Sequence, residues 1–167
     1  MNAATTQERT IATLAEWLRY DPDTGALVWA KKPCIAVAAG APAGANHEGY
    51  VRVRVAGAQY LAHRIAWAMH TGAWPKGDID HINGKRDDNR IANLRDVPRA
   101  VNRQNVLRAR ADNRVGLIGV KASRNGTYEA RIGVNGKYLH LGTYRTAEAA
   151  HAAYVSAKRQ HHIGNTL

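Results

Sequence analysis

The chain has 167 residues, with 24 Lys and Arg against 13 Asp and Glu and a formal charge of +11. That length suits one ordinary domain or two small ones, and so basic a balance points to a polyanionic partner, nucleic acid first. The single cysteine, Cys34, excludes an internal disulfide and a Cys-rich zinc ribbon, and no apolar run approaches the length that would cross a membrane. The opening stretch MNAATTQERT lacks an apolar signal core, so a soluble, intracellular and cytoplasmic protein is expected. The charge is also localised. Residues 1–60 hold 6 basic and 5 acidic side chains, residues 61–110 hold 10 and 5, and residues 111–167 hold 8 and 3.

In chain order, residues 7–19 predict a short amphipathic helix with Ile11, Leu14, Ala15 and Leu18 on one stripe. Asp21, Pro22, Asp23 and Gly25 form a turn, and Leu27 to Trp29 suit a strand. Residues 33–46, rich in Ala, Gly and Pro, read as a loop. YVRVRV (50–55) alternates strictly, with Val51, Val53 and Val55 on one side and Arg52 and Arg54 on the other. Ala56-Gly57 can turn the chain, and residues 61–70 predict a helix stopping near Gly72. Residues 106–114 are Arg-rich and weakly periodic; they predict a linker able to touch phosphate, or a solvated helix end.

Residues 78–105 carry the first constellation. Asp78 to Ile82 suit a short strand, Asn83-Gly84 begins a polar turn, and Leu94 to Val97 make a second strand. Pro98 fits the first turn of a helix that carries Asn102 and Asn105 on one side. Hydrolysing a phosphodiester needs an activated water and charge neutralisation at the phosphate. A histidine near its ordinary pKa can take the water's proton, and a carboxylate with an amide oxygen suits Mg²⁺ or Mn²⁺ better than zinc. Asp80 and His81, adjacent on a strand, point to opposite faces. Taken singly, Asp80, Asn83, Asn89 and Asn93 are turn formers and His81 an ordinary strand residue; the set together is what points to a site. His63, beside Arg64, is expected to be structural or phosphate-contacting.

An Asp-His pair, an Asn twelve residues after the histidine and another twenty-one after it resemble the His-Asn-His (HNH) endonucleases of the ββα-metal fold. The text AHRIAW, IDHINGKRDDNRIANLR and NRQN, over about residues 60–105, resembles the subgroup found in phage and homing enzymes. The resemblance implies His81 as general base, Asp80 and Asn102 as ligands of one Mg²⁺ or Mn²⁺ ion, and Asn93 as the residue that braces the loop and orients the base. The chain departs from the family name in having Asn102 in place of a third His, and Asn89 and Asn105 compete for the two asparagine roles.

The last segment predicts three strands and a helix. LIGVKAS (117–123) suits a strand, and GTYEARIGV and KYLHLGTY flank Asn135-Gly136, the strongest short-range hairpin signal. Stepping outward from that turn pairs Ile132 with Leu139 and Ala130 with Leu141 on an apolar face, and Arg131 with His140 and Gly133 with Tyr138 on a polar one. Ile118 and Val120 extend the apolar face and Lys121 the polar one, while Arg124 sits in the connection. A helix capped by Thr146 offers Ala147, Ala150, Tyr154 and Ala157 to the apolar face. This segment resembles the Apetala-two/ERF DNA-binding domain, which implies a sheet docked in the major groove. The outer-face and turn residues Lys121, Arg124, Arg131, Tyr138 and His140 are the expected contacts; the resemblance would add Tyr128, which strand parity places on the core side.

The expectation is therefore an α+β chain: a helix and hairpin region over 1–59, a ββα-metal HNH nuclease module over 60–105, a basic linker over 106–114, and over 115–167 a three-stranded antiparallel sheet with one packed helix. The expected activity is metal-dependent hydrolysis of double-stranded DNA, with no membrane and no obligate protein partner. The rival is a DNA-binding regulator with an inactive nuclease core.

Overall fold

The computed structural model describes residues 3–166, with side chains from residue 10 onward, and divides the chain into two units, Met1–Arg99 and Ala100–Leu167. Among the described residues the fold is α+β, with four small antiparallel sheets.

In the first unit, helix α1 (Ala3–Trp17) stops before the predicted end, because Leu18–Tyr20 leaves it to pair as β1 with β2 (Leu27–Trp29). Ala15 is exposed, whereas Leu14 and Leu18 are buried with Leu27 and Trp29. The β1–β2 turn closes on Asp21, whose carboxylate accepts from the Asp23 N–H at 3.0 Å and the Thr24 hydroxyl at 2.6 Å. A second sheet orders β3 (Ala45–His47), β4 (Tyr50–Val55) and β5 (Ala58–Leu61) side by side. Val53 and Val55 of the alternating stretch are buried, and Ala56 and Gly57 both take positive φ, as a two-residue hairpin turn with matching twist requires. β3 begins inside the stretch expected to be a loop, and β5 had no alternation to announce it.

Helix α2 (Ala62–Thr71) ends at Gly72 in the left-handed conformation. Ala62 and Ile65 bury into the core of α1 and the first two sheets, whereas the next residue, Ala66, joins Ile79 and Leu94 in a second cluster. Those last two come from β6 (Asp78–His81) and β7 (Leu94–Val97), an antiparallel pair whose second strand follows a 3₁₀ turn over Ile91–Asn93. The order β6, β7, then helix α3 (Arg99–Asn102) is that of a ββα-metal module. α3 is a single turn, so Asn105 lies beyond it, its N–H donating to the Asn102 carbonyl at 3.0 Å.

In the second unit β8 (Val120–Ala122), β9 (Tyr128–Val134) and β10 (Lys137–Tyr144) form a sheet in the order β10-β9-β8, with helix α4 (Ala147–His161) on it. The Asn135-Gly136 turn sets the predicted register as far as His140 opposite Arg131. A bulge then shifts it, so that Ala130 faces Gly142 in place of Leu141. Thr146 caps α4 by accepting from the Ala149 N–H at 3.2 Å, and Ala150, Tyr154 and Ala157 are buried. Gly119 has φ +76° and a Cβ there would stand 2.0 Å from the Tyr154 ring, so glycine alone lets the helix reach the sheet.

Candidate active site

Strand β6 delivers Asp80 and His81 side by side, both about 95% buried, into the first unit. Each has a different support. Asp80 faces Arg95 of β7 in the register, and its Oδ2 accepts from Arg95 Nε at 2.8 Å and Nη2 at 2.7 Å. Two charge-assisted bonds from a planar guanidinium give a buried carboxylate fixed geometry as well as a countercharge.

His81 sits in a group of rings. The His63 ring of α2 meets it edge-on, with centroids 5.1 Å apart, and Tyr50 of β4 stands 5.5 Å from His63 and 6.3 Å from His81. Arg86, from the β6–β7 loop, lies over Tyr50 at 4.9 Å. On the other side His81 Nε2 is 3.5 Å from Asn89 Oδ1. Burial pushes the His81 pKa down, opposed by the Asn89 hydrogen bond and the Asp80 charge. His63 is pushed down further, to about 4, by burial and by the neighbouring His81 and Arg64. Its Nδ1 is buried without a hydrogen-bond partner. Both imidazoles are therefore held toward the neutral form, the one able to accept a proton.

The β6–β7 loop is shaped by asparagines. Asn93 Oδ1 accepts from the Asn83 N–H at 2.9 Å, and its Nδ2 donates to the Asp88 carbonyl at 2.8 Å, tying both ends of the loop. The Asp88 carboxylate accepts from Arg90 and from Asn83, bonds that hold its pKa well below the usual carboxylate range. The N-terminal hairpin supports the loop from outside. Tyr20 donates its hydroxyl to the Asn89 carbonyl at 2.8 Å, and the Ile91 N–H donates to the Pro22 carbonyl at 3.1 Å. Gly25 packs so closely that a Cβ would lie 2.5 Å from the Arg90 nitrogen.

Of the expected site residues, Asp80, His81 and Asn93 thus share the β6–β7 region, and Asn89 Oδ1 stands 3.5 Å from the His81 ring. Asn102 ends α3, on the second unit's side of the division. Arg95, His63, Tyr50 and Tyr20 have no role in the motif spacing. Arg95 was accessible in principle, since strand pairing across a loop of known length would bring it opposite Asp80. Tyr50 and Tyr20 carry no signal in the sequence.

Among the described residues no group of three or more His, Cys, Asp or Glu side chains gathers to form a metal cage. The donors present are one buried carboxylate, imidazoles and carboxamides. One protein carboxylate fits a hard divalent ion that completes its shell with waters and substrate phosphate oxygens; it does not fit a structural zinc cage.

In the second unit the outer face of the sheet carries Lys121, Arg131, Tyr138 and His140, all exposed, with Arg124 exposed in the β8–β9 turn. The Arg131 guanidinium lies 5.1 Å over the Tyr138 ring. Glu129, opposite Lys121, was not among the expected residues of this face. Tyr128 packs with the core, as its parity predicts.

Residues 60–104 match the family model described as HNH endonuclease. Comparison with curated proteins and with solved structures gives no match. The matched stretch holds α2, β6, β7 and α3, hence Asp80, His81, Asn93 and Asn102, and supports a nuclease of the HNH kind. No described helix is long and apolar enough to cross a membrane.

Proposed function

We propose that the chain is a metal-dependent HNH endonuclease that hydrolyses a phosphodiester bond of double-stranded DNA, with the second unit binding the target. The observation that carries this reading is the adjacent Asp80–His81 pair, buried and separately supported inside the stretch that matches the nuclease family. His81 is the general base: held neutral by burial, it accepts the proton of a water whose oxygen bonds to phosphorus while the bond to the leaving sugar oxygen breaks. Asp80, with Asn102, would hold Mg²⁺ or Mn²⁺, which supplies positive charge to the phosphate and the leaving oxygen. Asn93 ties the loop and so orients the base, with Asn89 beside the His81 ring as the competing candidate for that role. Lys121, Arg124, Arg131, Tyr138 and His140 form the DNA-facing surface of an ERF-like second unit, as in phage-type homing enzymes. One such centre cuts one strand at a time, so a single copy nicks.

The test is relaxation of supercoiled plasmid with Mg²⁺ and with EDTA. Relaxation is expected with Mg²⁺ alone. His81→Ala should lower the rate by roughly 10²–10⁴-fold and leave DNA affinity unchanged. A His81→Ala protein that cuts at the wild-type rate overturns the assignment; binding with no relaxation under any divalent ion would leave a DNA-binding regulator.

A further inference from the structure

The Arg-rich stretch 106–114 is anchored at both ends within the second unit. At its start the Lys158 ammonium, on a side chain with no exposed surface, donates to the Val106 carbonyl at 2.6 Å. At its end Asn113 works in both directions. Its Nδ2 donates to the Leu117 carbonyl at 2.8 Å, and its Oδ1 accepts from the Val115 N–H at 2.9 Å. An open cleft of about 790 Å³ is lined by Arg108, Arg110 and Arg114 of this stretch and by Lys121, Arg131 and Tyr138 of the sheet. Asp112, the sole acidic residue of that lining, is drawn toward Arg110 at 3.6 Å.

Two features decide what fits. The volume is that of a cleft enclosing a small molecule, roughly 300–1,000 Å³, which is room for a short run of one polynucleotide strand. The Tyr138 ring is 78% exposed and has Arg131 over it, an exposed aromatic beside a line of cations. Cationic walls that track a backbone, with an aromatic on which a base can stack, are the recurring elements of single-strand binding. The five cations also exceed what folding of this small unit requires: among the described residues, the one acid paired with any of them, Asp112 on Arg110, is itself largely exposed.

We propose that this cleft binds a single, unpaired DNA strand, with phosphates held by the arginines of 108–114 and by Lys121 and Arg131, and one base stacked on Tyr138. The proposal rests on the nuclease reading only for the identity of the polymer as DNA. In that setting the strand is one freed beside a nick.

The experiment is fluorescence anisotropy of the full chain in EDTA, with a labelled oligo(dT) of about a dozen nucleotides, within the span such grooves cover, a random-sequence duplex and an RNA oligomer of matching length. Oligo(dT) should bind, and Tyr138→Ala should weaken it roughly tenfold; Tyr138→Phe should restore it, because the ring does the stacking. Arg110→Ala and Arg131→Ala should each weaken oligo(dT) binding, and together by less than the product of the two factors, because they grip one strand. Unchanged oligo(dT) affinity in Tyr138→Ala, multiplicative arginine effects, or an RNA bound far more tightly than the DNA would overturn the proposal. Because EDTA prevents cutting, the outcomes separate: strand binding without nicking activity condemns the nuclease reading alone, and nicking with Tyr138-independent strand binding condemns this one alone.

Discussion

Arg95 is the residue on which the site's charge balance turns. Its guanidinium holds Asp80, which is 4% exposed, so Arg95→Leu leaves a buried carboxylate without its countercharge. Removing one partner of a buried pair costs about 3–5 kcal/mol, and denaturant titration should show a loss of that size. Arg95→Leu, Asp80→Asn together should recover most of it while cutting stays lost. A double variant no more stable than the single one would show that the pair is not what holds the strands there. His63 gives a pH prediction. Folding holds it near 4 against an ordinary 6.5, so between those values the unfolded chain binds a proton that the folded chain refuses. Its contribution is fully present above about pH 6.5 and is lost as pH falls toward 4, on the order of 3 kcal/mol at about 1.4 kcal/mol per decade. Tm measured from pH 7 to 4 should therefore fall less steeply in His63→Phe, and parallel curves would contradict the assignment. The Asp-His pair and the asparagines of its loop stand close together in the sequence, so their proximity was legible from spacing. Arg95, 15 residues from Asp80, was legible only through the register of two strands, and His63 and Tyr50 were not, because packing brings them to His81 from 18 and 31 residues away.

Among the elements, the β1–β2 turn supports the site from outside it. Gly25 has φ +76° and no room for a Cβ beside Arg90. Gly25→Ala should thus displace the segment that carries Asn89, costing roughly 1–3 kcal/mol in stability and lowering the cutting rate more than DNA affinity. Equal rates for the variant and the wild type would mean that the turn supports the fold but not His81. Elements with strict periodicity or strong turn chemistry were readable: β4 from its valines, the β9–β10 hairpin from Asn135-Gly136, α4 from Thr146. The β9–β10 bulge was not, because Leu141 and Gly142 fit either register until the φ of +134° at Gly142 is known. β1 was hidden inside a helical pattern, since Leu18 satisfies both the helix stripe and a buried strand position.

For the molecule as a whole, the charge of +11 makes DNA affinity a function of salt. Every cation removed from a phosphate should flatten the slope of log K against log salt by about 0.9 on duplex DNA. Lys121→Ala, Arg124→Ala together should therefore flatten it by roughly 2 and weaken binding evenly across sequences. An unchanged slope would remove those two residues from the interface. The uneven spread of charge was readable from composition. The two units divide after Arg99, and within the second Gln104 and Asn105 bond to Gly164 and Thr166.

Tyr20, Pro22 and Gly25 lie well before the stretch that matches the nuclease family, yet they hold its loop at Asn89, Arg90 and Ile91. The recognisable motif and the smallest piece that opens as one body are therefore different lengths of chain. In hydrogen exchange the Ile91 amide, whose acceptor is the Pro22 carbonyl, becomes a reporter of the N-terminal hairpin: it exchanges when the hairpin comes away, whether or not β6 and β7 are still paired. Transplanting the motif into another protein without the hairpin would carry over Asp80 and His81 and leave behind what keeps the loop beside them closed.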